Sequence, residues 1–420
     1  MVVGIGRHGP LGLDAPLVRN PSEADAWAVL ASVEVLGPVA VGCLLRHFGS
    51  ARDVLDAAMR VDGPAVLAET PAEHRDGRRP VSLAVAEHVA QAAGRAGELL
   101  EAVRRANLRV VTLDDPAYPA WLLAIEMPPH ALFVQGDVTA LSASAAVAIV
   151  GTRDPTDAGR LTAIRIAGSV TRAGGLVVSG LAMGIDGVAH HAAVEVGGPT
   201  VAVIGSGHAQ LYPSAHRELS TRIVATGGAV MSELPPHVHP SRATFPRRNR
   251  LIAGLTDATI VVEAPAKSGA LITANWALEQ GRECFVVPGA IDDPAYAGSL
   301  ALLRQYGGQA RSVATVAQLL DDLGLVIEDE ETRGPRRRRR RHASSLPGPS
   351  PAALLAELGP TEARVARLLL GGRSTVDELA FALGLPVATI LGTLTLLEMR
   401  GLATSAYGRY RPAGALVAAA

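Results

Sequence analysis

The sequence contains very few lysine, cysteine and aromatic residues. Lys267 is the only lysine, so arginine carries nearly all of the positive charge. Aromatic residues make up 3% of the chain, which means that alanine, valine and leucine must fill its core. The two cysteines, Cys43 and Cys284, form neither a metal-binding nor a disulfide pattern.

A signal-peptide pattern is also absent, as is any apolar run of the roughly 18–20 residues that cross a membrane. We therefore expect a cytoplasmic protein with no membrane partner. The pattern GxxxxGK(S/T) and a complete GxGxxG fingerprint are missing too, so we expect no cofactor and no ATP hydrolysis. The adjacent His190 and His191 diverge on a predicted helix, which favours packing over metal binding, and no zinc site is expected.

Positive charge is concentrated in residues 241–275, although the whole chain has a net charge of −1. Neither aspartate nor glutamate occurs between Glu233 and Asp257. Within that interval, four arginines surround one aromatic and one amide side chain: Arg242, Arg247, Arg248 and Arg250 beside Phe245 and Asn249. Because the field of the whole chain does not attract an anion, this local clustering predicts a site for a polyanion.

The composition along the chain predicts five parts. They are a flexible amino-terminus (1–20), a helical domain like a helix-hairpin-helix or SAM unit (21–107), an α/β domain (108–325), a linker rich in arginine and proline (326–351) and a winged helix (352–420). The helical domain, whose last helix is predicted at 83–106, either binds DNA backbone through its turns or is a packing module. The arginine run 336–341 is compatible with a solvated tether and with contacts to phosphates.

Six apolar strands alternate with helical patterns in the α/β domain. The strands are predicted at 146–150, 176–179, 200–204, 229–232, 258–263 and 284–287. Strands without two-residue alternation are buried on both faces, and their repetition with helices indicates a parallel, doubly wound sheet. The predicted fold class is therefore α/β, an extended Rossmann-like and mostly parallel sheet with an amino-terminal small helical domain and a carboxyl-terminal winged helix.

The turns after the strands are the candidate site, because ligands of a doubly wound sheet bind beyond the carboxyl ends of its strands. Glycine-rich turns occur at 151–154, 179–187, 205–208 and 267–270. Glycine lets the backbone approach an anion, and the helix starts behind these turns offer amides, so together they predict a phosphate cradle. Each turn taken alone is equally compatible with a tight connection.

The arginine-rich segment contributes side chains to the same site. Arg247 and Arg250 are three residues apart and share a helix face, whereas the arginine between them points elsewhere. We expect Arg247 to bind phosphate together with Arg153. Phe245 either stacks on a base or contacts the core, and Asn249 or Arg250 could instead hold the loop together internally.

These segments resemble the bacterial DNA-processing protein A family, DprA or Smf. The resemblance covers roughly residues 108–290 and rests on IVGTRDPTDAG, SGLAMGIDGVAHHAAV, VIGSGHAQLYP, FPRRNRLIAGL and VVEAPAKSGALITANWALEQGR. It implies a Rossmann-like domain that binds single-stranded DNA, forms a homodimer and loads the RecA recombinase onto the strand in natural transformation and recombination. One departure is Gly298-Ser299-Leu300, where many members have Gly-x-Asn.

The resemblance also implies which residues contact DNA. The family contacts correspond here to Gly151, Arg153, Ser179, Gly180, Gly184, Arg247 and Asn249. With neighbouring residues from the same segments, the candidate site for single-stranded DNA and phosphate comprises Gly151, Thr152, Arg153, Ser179, Gly180, Met183, Gly184, Phe245, Arg247, Asn249, Arg250 and Gly269. We expect no catalytic residue and no metal ligand among them.

Two other functions remain open at this point. Related Rossmann-like enzymes hydrolyse nucleoside monophosphates with a glutamate in a glycine-rich turn, but the corresponding residues 267–273 hold no carboxylate, and the next is Glu279. A transcription regulator would read DNA with the second long helix of the winged helix, predicted at 387–399. Its side chains are apolar or small, which favours a protein contact at least as well. We therefore expect a binding protein rather than an enzyme.

Overall fold

The computed structural model describes residues 22–71, 81–143, 145–326, 358–370, 375–406 and 409–412. The chain divides into two compact units, residues 1–329 and 330–420. The predicted flexible amino-terminus, nearly all of the predicted linker and the arginine run 336–341 lie outside the described residues. The five predicted domain boundaries stay predictions.

An amino-terminal layer of helices begins the first unit. Its described helices are α1 (Glu23–Ala31), α2 (Pro38–Phe48), α3 (Ala51–Ala58), α4 (Gly63–Ala68), α5 (Leu83–Gly94) and α6 (Ala96–Arg105). Serine side chains at residues 22, 50 and 82 accept the backbone N–H three residues on, which fixes the starts of α1, α3 and α5. The prediction of one helix over 83–106 is wrong, because the backbone leaves helical geometry at Arg95, directly after the poor helix former Gly94.

A nine-stranded sheet forms the centre of the first unit. Its strands are β1 (Arg109–Thr112), β2 (Ala131–Gly136), β3 (Ala146–Val150), β4 (Leu176–Ser179), β5 (Thr200–Val203), β6 (Ala229–Ser232), β7 (Ala258–Val261), β8 (Glu283–Val286) and β9 (Ala310–Ser312). They lie in the order β1-β2-β6-β5-β4-β3-β7-β8-β9. Pairing is antiparallel for β1–β2 and β2–β6 and parallel for every other pair, which confirms the mostly parallel, doubly wound fold.

Helices cover both faces of this sheet. They are α7 (Ala120–Leu123), α8 (Asp157–Arg172), α9 (Ile185–Glu195), α10 (Arg217–Ala225), α11 (Thr244–Gly254), α12 (Ala270–Glu279), α13 (Ala297–Gln305) and α14 (Val316–Asp322). In β3, Val147 and Ile149 pack in one core with α8, α9 and α14, whereas Ala148 and Val150 pack in another with α11 and α12. Burial on both faces explains why β3 shows no polar alternation.

The order of the strands reverses at β3. From β3, the chain runs through β4, β5 and β6 to one side of the sheet, and then through β7, β8 and β9 to the other. The connections after β3 and β7 therefore diverge at neighbouring strand ends. In doubly wound sheets, such a switch point leaves a crevice at the carboxyl edge.

The second unit is a winged helix. It contains α15 (Pro360–Leu370), α16 (Val376–Leu383), α17 (Val387–Met399) and a hairpin of β10 (Ala403–Ala406) and β11 (Arg409–Pro412). Val365, Leu379, Ile390 and Leu394 form its core. Along α17, Leu391, Leu396 and Met399 remain exposed, so the helix presents the apolar surface that the sequence predicted.

Candidate functional site

A crevice of about 700 Å³ opens at the switch point of the sheet. Residues 151–153 line one side of it, directly after β3. Residues 267–270, between β7 and α12, line another, and the first half of α11 adds Phe245, Arg248 and Asn249. Ala182 and Asp186, from the predicted turn 179–187, also line it, so the structure brings together three of the predicted glycine-rich turns and most of the arginine-rich segment.

Besides the buried Arg248, three cationic side chains line this crevice: Arg153, Arg242 and Lys267. All three are exposed. In the part of the chain that the structure describes, none of them has a carboxylate within ion-pair distance. The acidic side chain of the described lining is Asp186, which is 7% exposed. The surface of the crevice is therefore positively charged.

Two aromatic rings stand beside Arg153. The guanidinium carbon of Arg153 lies 5.4 Å from the centroid of the half-buried Phe245 ring. Tyr212, which is 50% exposed, packs edge-on against Phe245 with the ring centroids 5.9 Å apart. Gly205 leaves room for this arrangement, since an added Cβ would lie 3.0 Å from Phe245 Cδ1. The placement of Phe245 in the crevice wall favours stacking on a base over a purely internal contact.

Arg248 is buried behind the crevice wall and joins three of its connections. Its Nη1 donates to Gly180 O at 2.6 Å and to Val203 O, and its Nε donates to Asn249 Oδ1 at 3.2 Å. Asn249 in turn donates from Nδ2 to Gly269 O at 3.2 Å. A Cβ on Gly180 would lie 2.4 Å from Arg248 Nη1. Arg248 therefore ties the ends of β4 and β5 to the turn before α12.

Two buried carboxylates lie beneath the crevice. Asp186, in the first turn of α9, accepts the N–H of Gly180 at 3.1 Å. Burial raises the pKa of Asp186, and the nearby Arg248 guanidinium opposes that rise. Glu263 accepts from Thr156 N at 3.0 Å and from Thr156 Oγ1 at 2.6 Å, where Thr156 begins α8. This differs from the predicted phosphate cradle, because the protein's own carboxylates accept the Gly180 N–H, in the connection before α9, and the Thr156 N–H at the start of α8.

Four of the candidate residues lie in the connection from β4 to α9. Ser179 is fully buried and donates from Oγ to Ile149 O at 2.6 Å, and Gly180 accepts from the buried arginine described above. Gly184 has a φ of +80°, and a Cβ there would lie 2.3 Å from Thr152 O. Met183 is 47% exposed but does not line the crevice. These positions shape the crevice from behind.

The remaining candidates in the arginine-rich segment, Arg247 and Arg250, lie in different environments. Arg250 is 6% exposed and its Nη2 lies 2.5 Å from Glu233 Oε2, which favours the alternative that it holds the loop internally. Arg247 is exposed and, with Arg250, lines a second cavity of about 410 Å³ between α1, α11 and α12. Arg153 and Arg247 thus line adjoining cavities, which share Pro246 and Ile272 in their walls.

Sequence reasoning left three exposed cationic or aromatic residues of the crevice out of the candidate site: Tyr212, Arg242 and Lys267. Each belongs to a segment that the sequence had singled out, but side-chain direction decided which of its members face the crevice. Gly269, by contrast, has no atom within 4 Å of an added Cβ. Its position requires no glycine, and its contribution to the crevice wall is the carbonyl oxygen that accepts the hydrogen bond from Asn249 Nδ2.

The described residues contain no group of three or more histidine, cysteine or carboxylate side chains placed to hold a metal ion. Buried His190 instead places Nδ1 2.9 Å from Thr200 Oγ1. Because Thr200 Oγ1 donates its proton to Val177 O, His190 Nδ1 is the donor of the pair. Within the described residues, no helix is both long and apolar enough to span a bilayer.

Two protein-family models match the chain. One, described as DNA recombination-mediator protein A, matches residues 109–324, and the DprA winged helix domain matches residues 349–409. The DNA processing protein DprA of Bacillus subtilis is 42% identical over 212 residues, which cover 50% of this chain and 71% of that protein. Protein Smf of Escherichia coli is 36% identical over 306 residues, covering 72% of this chain and 77% of that protein.

A solved structure shares the fold. The X-ray structure of DNA processing protein A from Streptococcus pneumoniae superposes with a TM-score of 0.58 at 28% sequence identity. The superposition covers 72% of this chain and 99% of the Streptococcus pneumoniae chain. With the family models and the relatives, this shows that the chain belongs to the DNA recombination-mediator protein A family, DprA or Smf.

Proposed function

We propose that this protein binds single-stranded DNA in the crevice at the carboxyl edge of its sheet. The observation that carries the proposal is the grouping of Arg153, Arg242 and Lys267, all exposed and without a carboxylate partner in the described structure, around Phe245 and Tyr212. Cationic side chains neutralise phosphates, and exposed aromatic rings stack on bases. Stacking needs bases that are free of a complementary strand, so the preferred form is single-stranded.

The wider role in this proposal is DNA processing during recombination and natural transformation. It is supported by the description of the family as a recombination mediator and by the names of the relatives as DNA processing proteins. Loading of RecA onto the bound strand, homodimerisation and a cytoplasmic location belong to the same proposal and rest on the family resemblance.

The proposed role is binding without catalysis. A nucleotide-hydrolysing enzyme needs an acid–base group that reaches the ligand. In the described lining of the crevice, the carboxylate is that of Asp186, which is buried and already accepts the Gly180 N–H. No observation favours the enzyme over the binding protein.

Salt dependence tests the assignment of the crevice. Binding of labelled single- and double-stranded oligonucleotides would be titrated by fluorescence anisotropy between about 50 and 200 mM salt. Arg153→Ala and Lys267→Ala should each weaken binding to every single-stranded sequence. Each should also flatten the plot of log affinity against log salt by about 0.7, the contribution of one phosphate contact.

Arg165→Ala supplies the matched control, because Arg165 is an exposed arginine on α8 that lines neither cavity. It should bind as the parent does. Equal affinities and equal salt slopes for Arg153→Ala and Arg165→Ala would contradict the proposal, as would tighter binding of the duplex than of the single strand.

A further inference from the structure

The second cavity, between α1, α11 and α12, has a mostly apolar wall. Trp27 and Leu30 of α1 contribute to it from one side, and Ile272 and Trp276 of α12 from another. Met127, from the segment before β2, is 45% exposed at this cavity. Its volume of about 410 Å³ is in the range of small-molecule sites and exceeds that of a single nucleobase.

Several buried polar atoms, on side chains that line the cavity, have no hydrogen-bond partner in the described structure. They are Trp27 Nε1, both ring nitrogens of His130 and Arg250 Nη1. Trp27 and Arg250 are 3% and 6% exposed, so these are unsatisfied donors on deeply buried side chains. A buried donor without an acceptor costs stability unless water or a ligand completes it, so these donors are available to a ligand that enters the cavity.

The charge of the wall is nearly balanced on its inner side. The Arg250 guanidinium is paired with Glu233 through Nη2, and burial lowers the pKa of His130, which favours its neutral form. Arg247 and Glu34 add exposed charges of opposite sign. The cavity therefore suits a neutral, planar group that carries hydrogen-bond acceptors and is linked to an anion near Arg247.

The second cavity adjoins the crevice. Pro246 and Ile272 line both, so a flexible strand that leaves the crevice across them passes Arg247 and the opening of the second cavity. We propose that this cavity takes one unstacked keto base, thymine or guanine, from the DNA strand held in the crevice. This inference rests on the proposed function, and it gives the amino-terminal helical layer a part in reading the strand.

The donors in the wall explain the choice of base. Thymine presents the O4 acceptor beside a methyl group, and guanine presents O6 and N7 as acceptors, whereas adenine presents one acceptor, N7, beside the N6 amino donor. Donors such as Trp27 Nε1 and Arg250 Nη1 match the first two bases and oppose the third. Both nitrogens are closed to water in the free structure, so binding includes a small rotation of these side chains.

The decisive variant is Trp27→Phe, which keeps an aromatic ring but loses the indole N–H together with part of the indole ring. Affinities for thymidine and deoxyadenosine oligonucleotides of equal length would be measured by fluorescence anisotropy. The variant should bind the thymidine strand about threefold to tenfold more weakly, the value of one hydrogen bond, and the deoxyadenosine strand unchanged. Because Trp27 is buried, the smaller ring should lower the thermal midpoint modestly, so the preference between the two strands, and not stability, is the readout.

A second variant, Trp276→Leu, keeps the inference falsifiable if the first fails to fold. Trp276 is half-buried in the wall, and its replacement should also weaken binding of the thymidine strand more than that of the deoxyadenosine strand. An unchanged preference between the two strands in both variants, with Arg153→Ala still weakening both strands, would overturn the inference and leave the crevice assignment standing. Failure of the parent protein to bind either strand would instead remove the proposed function itself.

Discussion

Replacement of Arg248 by methionine should destabilise the first unit strongly, although Arg248 lies behind the crevice surface. Methionine keeps a long apolar stem but offers no donor. Gly180 O and Val203 O would lose the Nη1 hydrogen bonds, and the buried Asp186 carboxylate would lose the positive charge beside it. Burial lowers the pKa of Arg248 to about 10, so the guanidinium is charged at neutral pH and its loss leaves Asp186 uncompensated.

The expected loss of stability in Arg248→Met follows from these contacts. The loss of a donor to each of two buried carbonyl groups costs about 1–3 kcal/mol apiece, and the loss of the positive charge near the buried Asp186 adds to it, so we expect a loss of about 3–5 kcal/mol. For domains of this size, 1 kcal/mol shifts the thermal midpoint by roughly 2–4 °C, which predicts a fall of roughly 6–20 °C. Urea unfolding followed by circular dichroism measures the free energy of unfolding, and a thermal scan measures the midpoint.

A double variant separates charge from packing. In Arg248→Met with Asp186→Asn, no charge is stranded, so stability should recover part of the loss even though a second side chain is altered. Arg165→Met is the matched control and should unfold like the parent. A loss below about 1 kcal/mol in Arg248→Met, within the range of ordinary surface substitutions, would refute the reasoning, and so would a double variant no more stable than the single one.

Two further outcomes follow from the structure. Gly184→Ala should destabilise the protein and weaken DNA binding, because the new Cβ would lie 2.3 Å from Thr152 O. Gly174→Ala is the control for the clash, because Gly174 has a similar φ of +79° but no atom within 4 Å of an added Cβ. Equal thermal midpoints for the two variants would contradict the predicted clash. Burial lowers the pKa of His190 from 6.5 to about 3, so the unfolded chain binds a proton that the folded one rejects, and stability should fall as the pH drops through this interval. His190→Gln should flatten that dependence, measured by urea unfolding across the interval, and an unchanged slope would show that other groups cause it.

The sheet could be predicted from sequence because its strands are apolar on both faces. The predicted bounds 146–150, 176–179 and 229–232 coincide with β3, β4 and β6. Of the other three predicted strands, 200–204 and 258–263 extended one or two residues too far, since apolar residues continue into the connections after β5 and β7. The crevice could be located as well, because the edge at which parallel strands end is fixed by the topology.

The role of each arginine could not be predicted in the same way. Arg247, Arg248 and Arg250 belong to one helix, yet one is exposed, one joins three connections and one is paired with Glu233. Which side of α11 faces the core depends on packing against α12 and the neighbouring strands, and a local sequence pattern does not contain that information. The second cavity is invisible to sequence for the same reason, since α1 and α12 meet there across more than 200 residues.

The most direct test of the central claim is to locate the bound strand. A thymidine oligonucleotide would be cross-linked to the full chain with ultraviolet light, and the modified peptides identified by mass spectrometry. Cross-links at Phe245 or Tyr212, lost in Arg153→Ala at moderate salt, are the predicted result. Cross-links confined to peptides that contain no crevice residue, such as those of the winged helix, would contradict the account.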